Sequence, residues 1–190
     1  MIMNKINICG QEVFLDIKYL NLSNNLLTSL PKEIGKLEKL ENLWRLIFTN
    51  NQLKSLPAEI GKLKKLKYLD LGNNKLTGLL EEIVNLERLE KLFLHNNELT
   101  SLPAEIGKLK NLVRLDLDYN LLTSLPDEIG KLVKLKKLDL HRNQLTSLPV
   151  EIGNLKNLEY LYLRENPISK EEIEKLKELL PNCKIYSDYE

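Results

Sequence analysis

Apolar and polar positions along the chain follow one pattern, L-x-x-L-x-L-x-x-N-x-L, seen clearly in the stretch LEKLFLHNNELTSLPAEIG at 89–107. The asparagines that follow each L-x-L are Asn51, Asn74, Asn97, Asn120, Asn143 and Asn166, each 23 positions after the last. Asn25 precedes Asn51 by 26, so one repeat carries a three-residue insertion. A fixed period of this length is the mark of a solenoid. Leu92 and Leu94 alternate as in a strand with one buried face. Asn97 falls where the chain must turn, and its amide both donates and accepts, so a stack of such side chains can bond the turn backbones of neighbouring repeats. Leu99 and Leu102 point back inward. One repeat cannot bury its leucines alone; stacked repeats form a continuous apolar column, with about seven parallel strands ~4.8 Å apart.

The other half of each repeat predicts a short helix or 3-10 turn. In Pro31-Lys32-Glu33-Ile34-Gly35-Lys36-Leu37, proline suits the first helical position, an early glutamate suits the helix dipole, and glycine limits the length. Glu33, Glu59, Glu82, Glu105, Glu128 and Glu151 form one row, and Lys36, Lys62, Lys108 and Lys131 another, three residues on. Rows at this spacing read as a solvated surface with i, i+3 ion pairs rather than a basic strip. The insertion lies in GKLEKLENLWRL and is expected to lengthen the first of these helices. Leu80 and Val84 replace the usual proline and glycine, which is expected to let that helix run slightly longer.

Both ends read as caps. Residues 5–16, KINICGQEVFLD, alternate around Gly10-Gln11 and predict a hairpin, with Ile6, Ile8, Val13 and Leu15 facing the column. Ser169 and Glu172 form an S-x-x-E capping box ahead of a helix carrying Ile173, Leu176, Leu179 and Leu180 and stopped by Pro181. Cys183-Lys184-Ile185-Tyr186 is positioned to add an edge segment. The chain therefore divides into a cap at 1–16, seven repeats at 17–168 and a cap at 169–190, all one domain.

Residues between the strand leucines face the opposite, hollow side. Counting gives three columns. The first is Tyr19, Arg45, Tyr68, Lys91, Arg114, Lys137 and Tyr160. The second is Asn21, Ile47, Asp70, Phe93, Asp116, Asp139 and Tyr162. The third is Ser23, Thr49, Gly72, His95, Asp118, His141 and Arg164. Trp44, Tyr119, Arg142 and Glu165 flank them. Convex positions repeat almost letter for letter and these do not. Five of the chain's seven tyrosines are here. Tyrosine, tryptophan and arginine are the residues that anchor interfaces. A plain solvated sheet face, with cross-strand pairs that stabilise it, is the competing reading.

Composition narrows the partners. Net charge is +1, from 28 basic and 27 acidic residues, so no overall field draws in nucleic acid or anionic lipid. No apolar run reaches the ~20 residues that cross a bilayer, and the start lacks the apolar core of a signal peptide. The sequence as it stands reads as cytoplasmic, with a secreted or surface location as the alternative if a leader has been trimmed. Cys9 and Cys183 lie at opposite ends of the strand stack, too far apart for the ~7 Å that a disulfide spans, and read as small apolar residues of the caps.

These repeats resemble the leucine-rich repeat family, most closely the compact bacterial proteins built from LPxEIGxLxxLxxLxLxxNxLT units. The resemblance covers residues 17–168 and implies an α/β solenoid, a right-handed horseshoe with a parallel concave sheet. It implies binding of another protein on that sheet, with a host protein among the partners, and it favours export over the cytoplasm. No enzyme is expected: the chain has no glycine-rich phosphate loop, nucleophile elbow or C-x-x-C pair. A monomer without cofactor is expected. His95, Asp118 and His141, in one column on consecutive repeats, are the only metal-ligand candidates, but the histidines start roughly 10 Å apart and no fourth ligand is evident. A purely structural spacer is the alternative to a binding module.

Overall fold

The computed structural model describes residues 5–14 and 16–189. Leu15 and the side chain of Ile6, both expected to face the apolar column, lie outside the described residues. β1 (Lys5–Ile8) and β2 (Gln11–Phe14) pair antiparallel, Ile8 opposite Gln11. The turn is Cys9-Gly10, not Gly10-Gln11: both have positive φ, 51° and 80°. Two positive φ values match the twist of a tight hairpin, and glycine takes the second at no steric cost. Ile8 and Val13 are buried under the first repeat, as expected.

Seven three-residue strands follow, one per repeat: β3 (Tyr19–Asn21), β4 (Arg45–Ile47), β5 (Tyr68–Asp70), β6 (Lys91–Phe93), β7 (Arg114–Asp116), β8 (Lys137–Asp139) and β9 (Tyr160–Tyr162). β10 (Lys184–Tyr186) comes from the C-terminal cap and pairs parallel with β9, so the sheet has eight strands in the order β10 to β3. Each strand centre is a leucine directly beside the next repeat's leucine, from Leu20 beside Leu46 to Leu138 beside Leu161. The other leucine positions complete one unbroken core, with Phe48 as its largest fully buried side chain.

Behind the sheet lie single 3-10 turns rather than α-helices. Five of them are five residues long, for example Ala104–Lys108, and each closes with a leucine N–H donating to an isoleucine carbonyl, as Leu109 does to Ile106. The insertion extends the first to eight residues, Lys32–Lys39. The turn at Glu81–Asn85 is no longer than its neighbours, contrary to expectation. Leu80 takes the same extended backbone as the prolines, φ −72° and ψ 148°, and Leu86 closes on Ile83 without a glycine. The glycine has another role. A Cβ at Gly107 would stand 2.6 Å from the Glu128 carbonyl oxygen, and one at Gly130 2.3 Å from that of Glu151. Its absence lets consecutive turns approach closely. Where Val84 stands instead, the pair of turns that follows packs least closely in the row.

The expected rows of convex charge are present, but the i, i+3 pairs are mostly not formed. Among the described residues, one closes, Lys131 to Glu128 at 3.4 Å. Pairs between repeats form outside these rows: Lys64–Glu87 at 3.1 Å, Lys67–Glu90 and Lys136–Glu159 at 2.8 Å.

The asparagine ladder has the anticipated chemistry. Asn97 Nδ2 donates to the carbonyls of Leu71 and Leu94, both at 3.0 Å, while Oδ1 accepts from Leu76 N–H at 3.0 Å. Six such residues, from Asn51 to Asn166, are at most 9% exposed. Asn25 differs. No repeat precedes it, and among the described residues its Nδ2 donates only to Ser23 O, in an exposed position.

α1 (Lys170–Leu179) caps the far end, burying Ile173 and Leu176. Ser169 Oγ accepts from Glu172 N–H at 3.3 Å, so the N-cap forms. The Glu172 side chain turns to Lys175 instead of completing the box. Both cysteines are free and half-buried. Burial raises both thiols, Cys183 to about 11. Among the described residues no helix is long and apolar enough to cross a membrane.

Candidate functional site

Strand register turns the first two counted columns into physical rows. Tyr19, Arg45, Tyr68, Lys91, Arg114, Lys137, Tyr160 and then Lys184 follow one another across the sheet. The second row runs Asn21, Ile47, Asp70, Phe93, Asp116, Asp139, Tyr162, Tyr186 by the same pairings. All of them lie on the face away from the leucine core, because successive strand residues alternate sides.

Two aromatic groups form on this face. In the first, Tyr68 and Phe93 have ring centroids 5.0 Å apart. Cations bracket them: the Arg45 guanidinium lies 4.2 Å from the Tyr68 ring centre and that of Arg114 4.7 Å from Phe93. Burial, and then the neighbouring Asp70, raise the Tyr68 phenol above its usual range. The second group is at the C-terminal end. Tyr162 stacks on Tyr186 at 4.7 Å with rings 7° from parallel, and Tyr160 and His141 adjoin it at 6.4 and 5.4 Å. Lys137 covers Tyr162 at 4.3 Å and Lys184 lies 5.8 Å from Tyr160. Such ring pairs and cation contacts are each worth about 0.5–1.5 kcal/mol beyond burial.

Carboxylates separate the two groups. Asp116 Oδ2 accepts from Arg114 at 2.9 Å, and Asp139 has His141 Nδ1 at 2.9 Å and Lys137 at 3.8 Å. Asp118 is raised above the ordinary carboxylate range, by burial first and by Asp139 second. At the flank, Arg142 lies 4.4 Å from the Tyr119 ring centre and bonds Glu165 at 2.8 Å. Tyr19 stands apart on edge strand β3, 63% exposed, and Lys91 and Trp44 are also exposed. Arg164 Nε donates to Ser187 O at 3.3 Å.

The sequence-derived metal trio does not assemble. His95 leans the other way: its ring fills the space that a side chain at Gly72 would occupy, 2.2 Å from the would-be Cβ. Asp139 takes its place beside Asp118 and His141. Counting by repeats also missed Tyr186 and Lys184. They stand one position later than the 23-residue period would put them, and the only signal was the apolar–polar alternation of Lys184-Ile185-Tyr186.

The flank carries one further irregularity. The residue before each ladder asparagine holds a positive φ: Asn24, Asn50, Asn73 and Asn96, then Tyr119 at 56°, Arg142 at 51° and Glu165 at 57°. Asparagine tolerates this left-handed region, while bulkier side chains are strained there. The last three repeats therefore hold costly residues where a cheap one serves elsewhere.

Comparisons with known proteins agree with this architecture. Models described as leucine rich repeat match residues 110–168 and, in a second model, 16–37 and 157–183; a leucine-rich repeat region model matches 57–122. Among solved structures, a leucine-rich repeat protein of Leptospira interrogans is 30% identical, with 89% of this chain and 72% of that one covered and a TM-score of 0.46. The plant peptide hormone receptor RGFR1, solved in complex with RGF2, is also 30% identical, with a TM-score of 0.65. There 93% of this chain is covered but only 34% of the receptor chain. No curated protein sequence matches significantly. With its repeat spacing, ladder and parallel sheet, the chain belongs to the leucine-rich repeat family.

Proposed function

We propose that this protein is a non-enzymatic module that captures a protein partner on its concave sheet. The carrying observation is the pair of half-exposed aromatic groups, Tyr68–Phe93 and Tyr160–Tyr162–Tyr186, on a face free of leucine. Aromatic and arginine side chains held rigid by neighbours lose little entropy on binding and so make good anchors. The strained Tyr119 and Arg142 support the reading, because strain tends to persist where a side chain has a task. Mixed charge beside the rings suits a protein surface better than a phosphate backbone. A related solenoid solved with RGF2 bound is consistent with this use of the fold.

The test is affinity capture with the wild-type chain beside a Tyr68→Ala, Phe93→Ala, Tyr162→Ala variant, each checked by circular dichroism. Partners held by the wild type and lost by the folded variant support the reading. Identical partners from both would sink it and leave the structural spacer.

A further inference from the structure

Asp118, Asp139 and His141 each bring one ligand atom to a common point on the concave sheet, all within 4.8 Å of one another. Asp139 ends β8, with Asp116 of β7 directly beside it in register. Three carboxylates thus crowd together. Two cations pair with them closely, Arg114 with Asp116 at 2.9 Å and Lys137 with Asp139 at 3.8 Å. Arg142 commits its Nε to Glu165. Asp118 makes no such ion pair among the described residues.

A second observation points the same way. Asp116 is only 7% exposed, and its Oδ1 has no hydrogen-bond partner among the described residues. The Asp118 Oδ1 is likewise buried and unpaired. Such an oxygen forfeits its hydration without return. Two such acceptors, on residues two apart in the chain, have lone pairs that a cation can take up.

We propose that Asp118, Asp139 and His141 bind a divalent transition cation of the zinc class, with the Asp116 carboxylate behind the site. One imidazole with two carboxylates is a donor set for zinc and its first-row neighbours, whereas magnesium and calcium prefer oxygen alone. The three residues are half-exposed, so water from the open face can complete a tetrahedral shell. Donors around zinc lie ~2.0–2.2 Å from the metal, so the three donor atoms draw together on binding and the His141 Nδ1–Asp139 Oδ1 hydrogen bond gives way to the metal. His95 is outside the site, held over Gly72. The site needs no protein partner, so its fate is separable from that of the concave-face reading.

The full chain is titrated with zinc chloride at neutral pH, following ring resonances of the two histidines by NMR and the heat of binding by calorimetry. One site is expected, shifting His141 and leaving His95 in place, with no response to magnesium. Asp118→Asn and Asp139→Asn, near-isosteric changes, should each weaken zinc at least ~10-fold while the circular dichroism stays unchanged. His95→Ala should bind as the wild type does. An unmoved His141 at millimolar zinc, an equal response from His95, or full affinity in folded Asp118→Asn overturns the proposal. The wild-type histidine spectrum decides the matter even if a variant fails to fold.

Discussion

At the scale of single residues, the asparagines and glycines carry unequal burdens that look identical in the sequence. Asn97→Ala leaves the buried N–H of Leu76 without its partner and takes one of two donors from each of the carbonyls of Leu71 and Leu94, which keep Asn74 Nδ2 and Asn120 Nδ2. At about 1–3 kcal/mol for a buried group left unsatisfied, a loss of roughly 2–4 kcal/mol is expected by denaturant unfolding. Asn25→Ala, whose side chain is exposed and among the described residues bonds only Ser23, should cost below about 1 kcal/mol in the same assay, since the backbone N–H that donates to Asn51 is kept. Tyr119→Asn should stabilise by about 0.5–1 kcal/mol, since asparagine accepts the left-handed φ of 56° more readily. If stability falls instead, the Arg142 contact outweighs the strain.

Asp118 gives a pH prediction at the same scale. Burial and Asp139 raise its folded pKa above the unfolded value, so the native state binds the proton more tightly. Its contribution to stability is full at low pH and is lost as pH rises through the folded pKa. Asp118→Asn removes that loss. The variant should therefore match or exceed the wild type at pH 7, and the gain should disappear at acid pH, as thermal melts across the range would reveal.

At the scale of elements, the terminal pieces resist least. β10 is held to the sheet by backbone bonds such as Leu163 N–H to Tyr186 O at 2.7 Å, and on its open face by the Tyr162–Tyr186 stack. Tyr186→Ala should cost about 1–2 kcal/mol and raise amide hydrogen exchange in residues 184–186 before any in the central repeats. The glycine of the 3-10 turns is an element-scale device as well. Its lack of a side chain is what brings one turn against the next. Gly130→Ala, whose Cβ would meet the backbone oxygen of Glu151 at 2.3 Å, should destabilise by about 1–3 kcal/mol. At Gly72 the atoms nearest the same Cβ belong to the His95 side chain, not to backbone, so rotation of that ring should relieve the contact at little cost.

At the scale of the whole molecule, stability accumulates between neighbours along one dimension, as in other repeat arrays. Leu115, fully buried in β7 between two repeats, should cost about 2–5 kcal/mol when cut to alanine. Leu20, in the edge strand with a paired neighbour on one side only, should cost less. Because the central loss interrupts the stack, the Leu115→Ala variant should unfold in two separable transitions where the wild type shows one, visible by calorimetry.

The repeat period, the solenoid, the buried leucines, the asparagine ladder and the three outward columns were all legible in the chain. Each rests on a spacing that a stacked array must honour: period two in a strand, one register per repeat, and no other way to bury so many leucines. What folding in three dimensions decided was how neighbours lean. The period puts His95 and His141 in one column, but Gly72 offers His95 a hollow and Asp139 offers His141 a partner. Val84 leaves its own turn unchanged and loosens the contact with the next. Tyr186 joins the aromatic row through a cap that no longer keeps the period. Spacing determines which face a residue occupies; rotamers, packing gaps and local charge, which depend on atoms from three repeats at once, determine what it touches there.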